Sequence, residues 1–242
     1  MTRRLLLVAL AAALAAPAGA NAASVYAASS LRDAFPALDS SQTFNFGGSN
    51  TLQLQIEKGA PADVFASASP KEAQALFNEN RCERPVTFAT NVVVLIVPNS
   101  NPANIDSVYD LVHGSQKRLA IGSAGVPIGD YTRALLRKLR LSKALTHNIV
   151  SNEPNVASIT SKVALGSADA GFVYVTDARS VNDRTKSIRL PKYAQPPVRY
   201  QICAVRRSGA DTAGARSFIR KVTGSAGRKV LKSYGFGLPP RG

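Results

Sequence analysis

Short apolar runs alternate along the chain with segments of helical period. Residues 24–28 (SVYAA), 43–46, 62–66, 91–97, 119–122, 172–175 and 200–205 read as strands. The run 91–97, NVVVLIV, is apolar without alternation and ends at Pro98. That is the pattern of a strand buried on both faces, in a parallel or mixed sheet. Between these runs the apolar positions return at helical spacing. Ala73, Leu76 and Phe77 form one such set, Tyr131, Leu135 and Leu139 another, Val156, Ile159 and Val163 a third. Ala215, Phe218, Ile219 and Val222 predict a C-terminal helix, and a helix is also expected from Leu31, just after Ser29 and Ser30. Alternation of strands and helices throughout predicts α/β architecture.

One stretch resists the period rule. Leu52, Leu54 and Ile56 alternate with Gln53, Gln55 and Glu57, which by pattern alone is a strand. Leu, Gln, Glu and Lys are nevertheless helix formers. Asn50 followed by Gln53 resembles a capping box, and Gly59 and Pro61 mark a stop. A helix is predicted here. Ser69-Pro70 reads as a cap followed by proline at the first helical position, and Asn155 as the cap of the helix carrying Val156.

Composition changes the picture at the N-terminus. Arg3 and Arg4 precede an apolar run to Ala16, then Pro17 and the small-x-small triplet Ala20-Asn21-Ala22. Residues 1–22 therefore read as a secretory signal peptide, and no cysteine stands there to accept a lipid. The formal net charge is +15, and loss of the two leader arginines leaves +13. The basic residues are scattered and not interleaved with aromatics, and export argues against nucleic acid as partner. A solvated basic surface is the preferred reading over attraction to anionic lipid or wall polymers. Cys82 and Cys203 are the only cysteines, and in an exported protein an even count predicts a disulfide. With two cysteines and two histidines, His113 and His147, there is no zinc spacing.

The candidate chemistry lies at four junctions: around Ser30, around Ser49, at Ile128-Gly129 and at Asn155-Val156. Ligands of open α/β sheets bind at the carboxyl ends of strands. Helix N-termini there offer unpaired N–H groups and the positive end of the helix dipole. Ser30, Ser49 and the phenol of Tyr174 add side-chain donors. On the residues alone, the serines are equally plain helix caps and Tyr174 a core tyrosine. Catalytic signals are weak. Ser29 and Ser30 lack a G-x-S-x-G elbow, and there is no Walker loop and no G-x-G-x-x-G. Asp63, Asp169 and Asp177 are single carboxylates that read as caps or hinge ligands.

Several segments together resemble the periplasmic molybdate-binding component of ABC transporters. They are VYAASSLRDAFPAL (25–38), FGGSNTLQLQIEKGAPADVFASAS (46–69), NVVVLIVPNSNP (91–102), RLAIGSAGVPIGDYTRALL (118–136) and NEPNVASITSKVALGSADAGFVYVTDA (152–178). The likeness follows the family's order over nearly the whole mature chain. It implies a type II periplasmic binding-protein fold, with lobe one at 23–86 plus 200–242 and lobe two at 87–199. It implies no enzyme and no cofactor. The ligand is molybdate or tungstate, held by hydrogen bonds without counter-charge or direct metal ligands. The implied donors are Ser30, Ser49, the N–H groups of Ile128 and Val156, and Tyr174. The implied partner is an inner-membrane permease, and the protein is a periplasmic monomer. Gly47-Gly48 departs from a more Ala/Ser-rich version, and Ile128 is bulkier than the usual alanine. Other oxyanions, such as sulfate or phosphate, remain alternatives. So do an exported hydrolase using Ser29 or Ser30, and a basic protein binding wall polymers.

Overall fold

The computed structural model describes residues 22–239, so the leader segment 1–22 lies outside the described residues except for Ala22. In chain order the elements begin with β1 (Ser24–Ala28), a 3-10 turn (Ser29–Leu31), α1 (Ala34–Leu38), β2 (Thr43–Gly47) and α2 (Ser49–Glu57). They continue with β3 (Val64–Ser67), α3 (Pro70–Asn78), β4 (Val86–Asn91), β5 (Val93–Pro98) and β6 (Leu119–Gly122). Then come α4 (Pro127–Lys138), α5 (Lys143–His147), β7 (Ile149–Glu153), α6 (Val156–Ala164) and β8 (Ala170–Tyr174). The chain ends with α7 (Val175–Arg179), β9 (Thr185–Ile188), β10 (Val198–Ala204), α8 (Thr212–Thr223) and α9 (Ser225–Ser233).

The strands form two five-stranded mixed sheets, β2-β1-β3-β10-β4 and β7-β6-β8-β5-β9. Each is the centre of one lobe of a type II binding-protein fold. In the first, β1 is parallel to β2 and β3, while β10 runs antiparallel to β3 and β4. In the second, β6 is parallel to β7 and β8, while β5 runs antiparallel to β8 and β9. The apolar run that looked like one strand is split at exposed Val92, where the chain leaves the first sheet and enters the second. The return passage lies between β9 and β10. Gln195 ties the two passages together: its amide accepts from Val93 N–H at 3.1 Å and donates to Val93 O at 2.8 Å. As expected, β5 is buried along its whole length.

The alternating stretch is a helix, α2, with Leu52 and Ile56 buried and Leu54 half exposed. Gly59 ends it at φ 89°, which favours glycine. The capping box, however, does not form. Gly48 is the N-cap, so Asn50 already sits inside the first turn, and Gln53 instead donates to Glu57 at 2.6 Å. Ser69 and Asn155 cap α3 and α6 as expected, accepting from Lys71 N–H and Ser158 N–H. The C-terminal helix is two helices, broken at Gly224, where a Cβ would lie 2.8 Å from Arg220 O.

The disulfide expectation is corrected. Cys82 and Cys203 are free, buried thiols whose sulfurs are not at bonding distance. Cys82 instead donates its thiol to Ala73 O at 3.7 Å, inside a small core of Tyr26, Leu52, Phe65 and Leu76. The neighbouring Cys82 thiol and burial together push the Cys203 thiol well above its ordinary pKa. Among the described residues no helix is long and apolar enough to cross a membrane.

Close backbone packing sets the start of α4. A Cβ on Gly129 would fall 2.3 Å from Gly122 O and 2.4 Å from Ser123 O, atoms of the strand end and loop that precede the helix. Gly129→Ala is expected to destabilise the protein by about 1–3 kcal/mol, the usual cost of overpacking, measured by urea denaturation. The same packing accommodates the bulky Ile128. Its Cγ2 lies over Gly122, where a Cβ would come within 3.0 Å.

Candidate functional site

Each sheet contributes three parallel strands whose carboxyl ends feed helical turns. In the first lobe β1 leads to the Ser29–Leu31 turn, β2 to α2 and β3 to α3. In the second lobe β6 leads to α4, β7 to α6 and β8 to α7. These ends face one another, and one small cavity lies between them. All five predicted residues, Ser30, Ser49, Ile128, Val156 and Tyr174, line it, and all are at least nine-tenths buried. Among the described residues no charged side chain lines it.

The cavity leaves about 10 Å³ for the centre of a water-sized sphere, equivalent to a void of roughly 2.7 Å radius. That is room for one small ion and not for a sugar, amino acid or peptide. Larger cavities lie elsewhere. One of about 550 Å³ is bordered by His113 and His147, so neither histidine is near Ser29 or Ser30 to serve as a base. The hydrolase reading thus lacks its proton acceptor. Among the described residues no three His, Cys, Asp or Glu side chains cluster to hold a metal.

The cavity wall includes several groups able to donate hydrogen bonds. Helices leave their first N–H groups without intrahelical partners. Neither α2 nor α4 has a side-chain cap to take them up, since the N-caps are Gly48 and Val126. Pro127 begins α4 and has no N–H, which makes Ile128 the first donor of that helix. In α6 the Asn155 cap engages Ser158 N–H and leaves that of Val156. Neither serine is the cap that its position suggested. The Ser49 hydroxyl accepts from Ala68 N–H at 3.0 Å, so its own hydrogen is available to the cavity. The Ser30 hydroxyl lies 2.8 Å from Tyr200 OH. Tyr200 was not singled out in the sequence. The signal available was alternation, with Tyr200 flanked by Arg199 and Gln201 on the opposite face of the strand.

Tyr174 OH is the most telling atom. It is buried and has no hydrogen-bond partner among the described residues. Asn50 Oδ1 and Gln201 Oε1 also lack partners there, but neither residue lines the cavity. Burial first, then the neighbouring Tyr200 and Tyr131, pushes the Tyr174 phenol well above its usual pKa. It therefore stays protonated and can donate. The rings of Tyr131 and Tyr200 pack edge-on against it, with centroids 6.5 and 5.9 Å away.

The three single carboxylates, read from the sequence as caps or hinge ligands, cap none of the described helices. Asp63 accepts from Ser24 N–H, Asp211 N–H and Arg207, and Asp169 from Arg118. Asp177, at the start of α7, is pushed up to about 7 by burial, against the lowering effect of Thr176 and Arg32 and with a small push from Asp33. The unfolded chain releases this proton near 3.8, so between that pH and about 7 the folded state binds more protons. The stabilisation is complete below about 4 and is lost as pH rises through about 7. Asp177→Asn is accordingly expected to raise the melting temperature more at pH 8 than at pH 5. A uniform shift across that range would remove Asp177 as the titrating group.

The lobes touch across the cavity. A Cβ on Gly48 would lie 2.2 Å from the backbone carbonyl of Pro154 in the opposite lobe. Gly48 has φ −68°, an ordinary value, so glycine is needed there for space and not for conformation. The space is taken by Pro154, not by backbone approaching an ion. Tyr131 OH reaches Ala68 O at 3.4 Å, and Lys71 and Asp130 pair at 3.6 Å on the exposed rim.

Residues 6–237 match the family model for bacterial extracellular solute-binding proteins. The chain belongs to this family. Its relatives include the molybdate-binding protein ModA of Mycobacterium tuberculosis, 34% identical over 91% of this chain and 86% of that protein. The substrate-binding domain of a putative molybdenum ABC transporter from Clostridium difficile is 28% identical, with a TM-score of 0.64 over 90% of this chain and 99% of that one. The periplasmic molybdate-binding protein of Azotobacter vinelandii superposes with a TM-score of 0.79 over 90% of this chain and all of that one. At 24% identity it supports the fold alone. As a solute-binding protein, the chain has an extracytoplasmic family setting and a family task of binding, not catalysis.

Proposed function

We propose that this solute-binding protein captures molybdate, with tungstate as the closest competitor, and delivers it to an inner-membrane ABC permease from the periplasm. The observation that carries this reading is the buried, unpartnered Tyr174 hydroxyl in a cavity of donors sized for one ion. Ser30 and Ser49 supply hydroxyl hydrogens from lobe one, and Ile128, Val156 and Tyr174 face them from lobe two. Lobe one, expected at 23–86 plus 200–242, is extended here to Asn91, because β4 pairs with β10 in the first sheet. Lobe two, expected at 87–199, is then the chain between the two crossings at Val92 and at 189–197. Removing a dianion from water is costly, so each oxygen needs a donor. A fully deprotonated tetrahedral anion meets that condition here. Hydrogen phosphate brings a proton that needs an acceptor, and among the described residues no carboxylate lines the cavity to take it. Lobe closure then sequesters the ion, and the closed form docks as a monomer on the permease.

A thermal-shift panel of molybdate, tungstate, sulfate and phosphate tests the reading. A ligand at 100 times its dissociation constant stabilises by about 2.7 kcal/mol, or roughly 5–10 °C for a chain of this size. Molybdate and tungstate are expected to give that shift and phosphate none. No shift with any ion at millimolar concentration would defeat the proposal.

A further inference from the structure

We infer that Tyr200, held by Asn91, is a positioning residue that turns the Ser30 hydroxyl hydrogen into the cavity. The inference rests on the oxyanion reading of the same site and concerns residues outside its wall. Asn91 ends β4 at the first crossing between lobes and is buried. Its carboxamide orientation is fixed by its neighbours, since Oδ1 accepts from Val92 N–H at 2.9 Å. The Nδ2 group therefore points the other way and has only hydrogens to give. One goes to Thr176 Oγ1 at 3.0 Å and the other to Tyr200 OH at 3.3 Å.

That assignment propagates. Tyr200 is fully buried, and its phenol is held far above its usual pKa, chiefly by burial, so it keeps its proton. Its oxygen already accepts from Asn91. The remaining neighbour for its hydrogen is Ser30 Oγ at 2.8 Å. Ser30 thus accepts from Tyr200, and its own hydrogen is left for the cavity. On the other branch Thr176 accepts from Asn91 and donates to Asp177 Oδ2 at 3.3 Å, so every hydroxyl in the network has one consistent direction. The Ser49 hydroxyl is oriented the same way by a simpler device, the Ala68 N–H. Without Tyr200, Ser30 is free to rotate and present its oxygen, which turns a donor-only position into one that can accept.

The test is a double-mutant cycle read by calorimetry with molybdate and with phosphate, using full-length mature protein. Tyr200→Phe keeps the ring and its edge-on packing against Phe88, Tyr174 and Phe236. It is expected to weaken molybdate binding about 10-fold, the order of one hydrogen bond to a charged group. It is also expected to narrow the preference for molybdate over phosphate. In a Ser30→Ala background the same change is expected to have no further effect on either ion. Equal losses with and without Ser30, or no loss in either, would overturn the inference. If wild-type protein binds no oxyanion, the functional reading itself falls. If wild type binds and Ser30→Ala weakens binding while Tyr200→Phe does not, only the positioning role is lost. Asn91→Asp, which can accept but not donate at this point, provides a second route. It is expected to draw the Tyr200 hydrogen away from Ser30 and to reproduce the Tyr200→Phe pattern. Retained wild-type affinity and selectivity in folded Asn91→Asp would contradict the inferred direction.

Discussion

Gly48→Ala is expected to abolish tight oxyanion binding while leaving the free protein folded. The methyl group would sit 2.2 Å from Pro154 O, and a backbone carbonyl cannot swing aside as a flexible side chain can. The lobes would be held apart at the point where they meet. Ser49 would still face the ion, but Ile128, Val156 and Tyr174 of the second lobe would not reach it. Each hydrogen bond to a charged group contributes about 1.5–3 kcal/mol, so losing even two of the three predicts at least about a 100-fold weaker affinity. The free protein has no reason to suffer in proportion. Gly48 has a backbone conformation open to alanine, and exchanging glycine for alanine at an N-cap costs roughly 1 kcal/mol or less. Calorimetry and melting of the unliganded variant separate the two effects. Wild-type affinity in a folded Gly48→Ala protein would show that this contact is not needed for the bound state.

Tyr174→Phe is expected to weaken binding by about 1.5–3 kcal/mol, because a dianion loses one charge-assisted donor. In the closed form the phenol is buried without a partner among the described residues, so the ion is what satisfies it. Removing only the oxygen retains the edge-on packing against Tyr131 and Tyr200, so the fold is expected to be kept. Equal binding by Tyr174→Phe would remove Tyr174 from the site, whatever its effect on stability.

The sequence made the architecture legible because strands and helices carry different periods. The stretch 50–57 shows where period alone misleads. Its alternation is that of a strand, but its residues favour a helix, and Gly59 and Pro61 close it. The split of the apolar run at Val92 was not legible, because both flanks are equally apolar and only tertiary context decides where a chain changes sheets. The strands β4 (VTFATN), β7 (IVSNE) and β9 (TKSI) did not stand out because they hold few apolar residues, not because they are short.

At the site, small residues and hydroxyls marked the strand-to-helix junctions, the family resemblance implied the donors Ser30, Ser49, Ile128, Val156 and Tyr174, and the fold gathers all five around one cavity. What they do there was legible only in part. Ser30 and Ser49 looked like caps, yet each hydroxyl is engaged by a distant group, Tyr200 and Ala68 N–H. Such partners are 170 and 19 positions away, beyond the reach of local pattern. The disulfide failed for a related reason. Compartment and parity favour a bridge, but Cys82 turns its thiol onto Ala73 O.

Titration calorimetry of the mature protein with molybdate tests the central claim most directly. The account predicts one ion bound per chain, undiminished by excess phosphate and competed by tungstate. No saturable binding at millimolar molybdate, or binding unaffected by Ser49→Ala and Tyr174→Phe together, would contradict it.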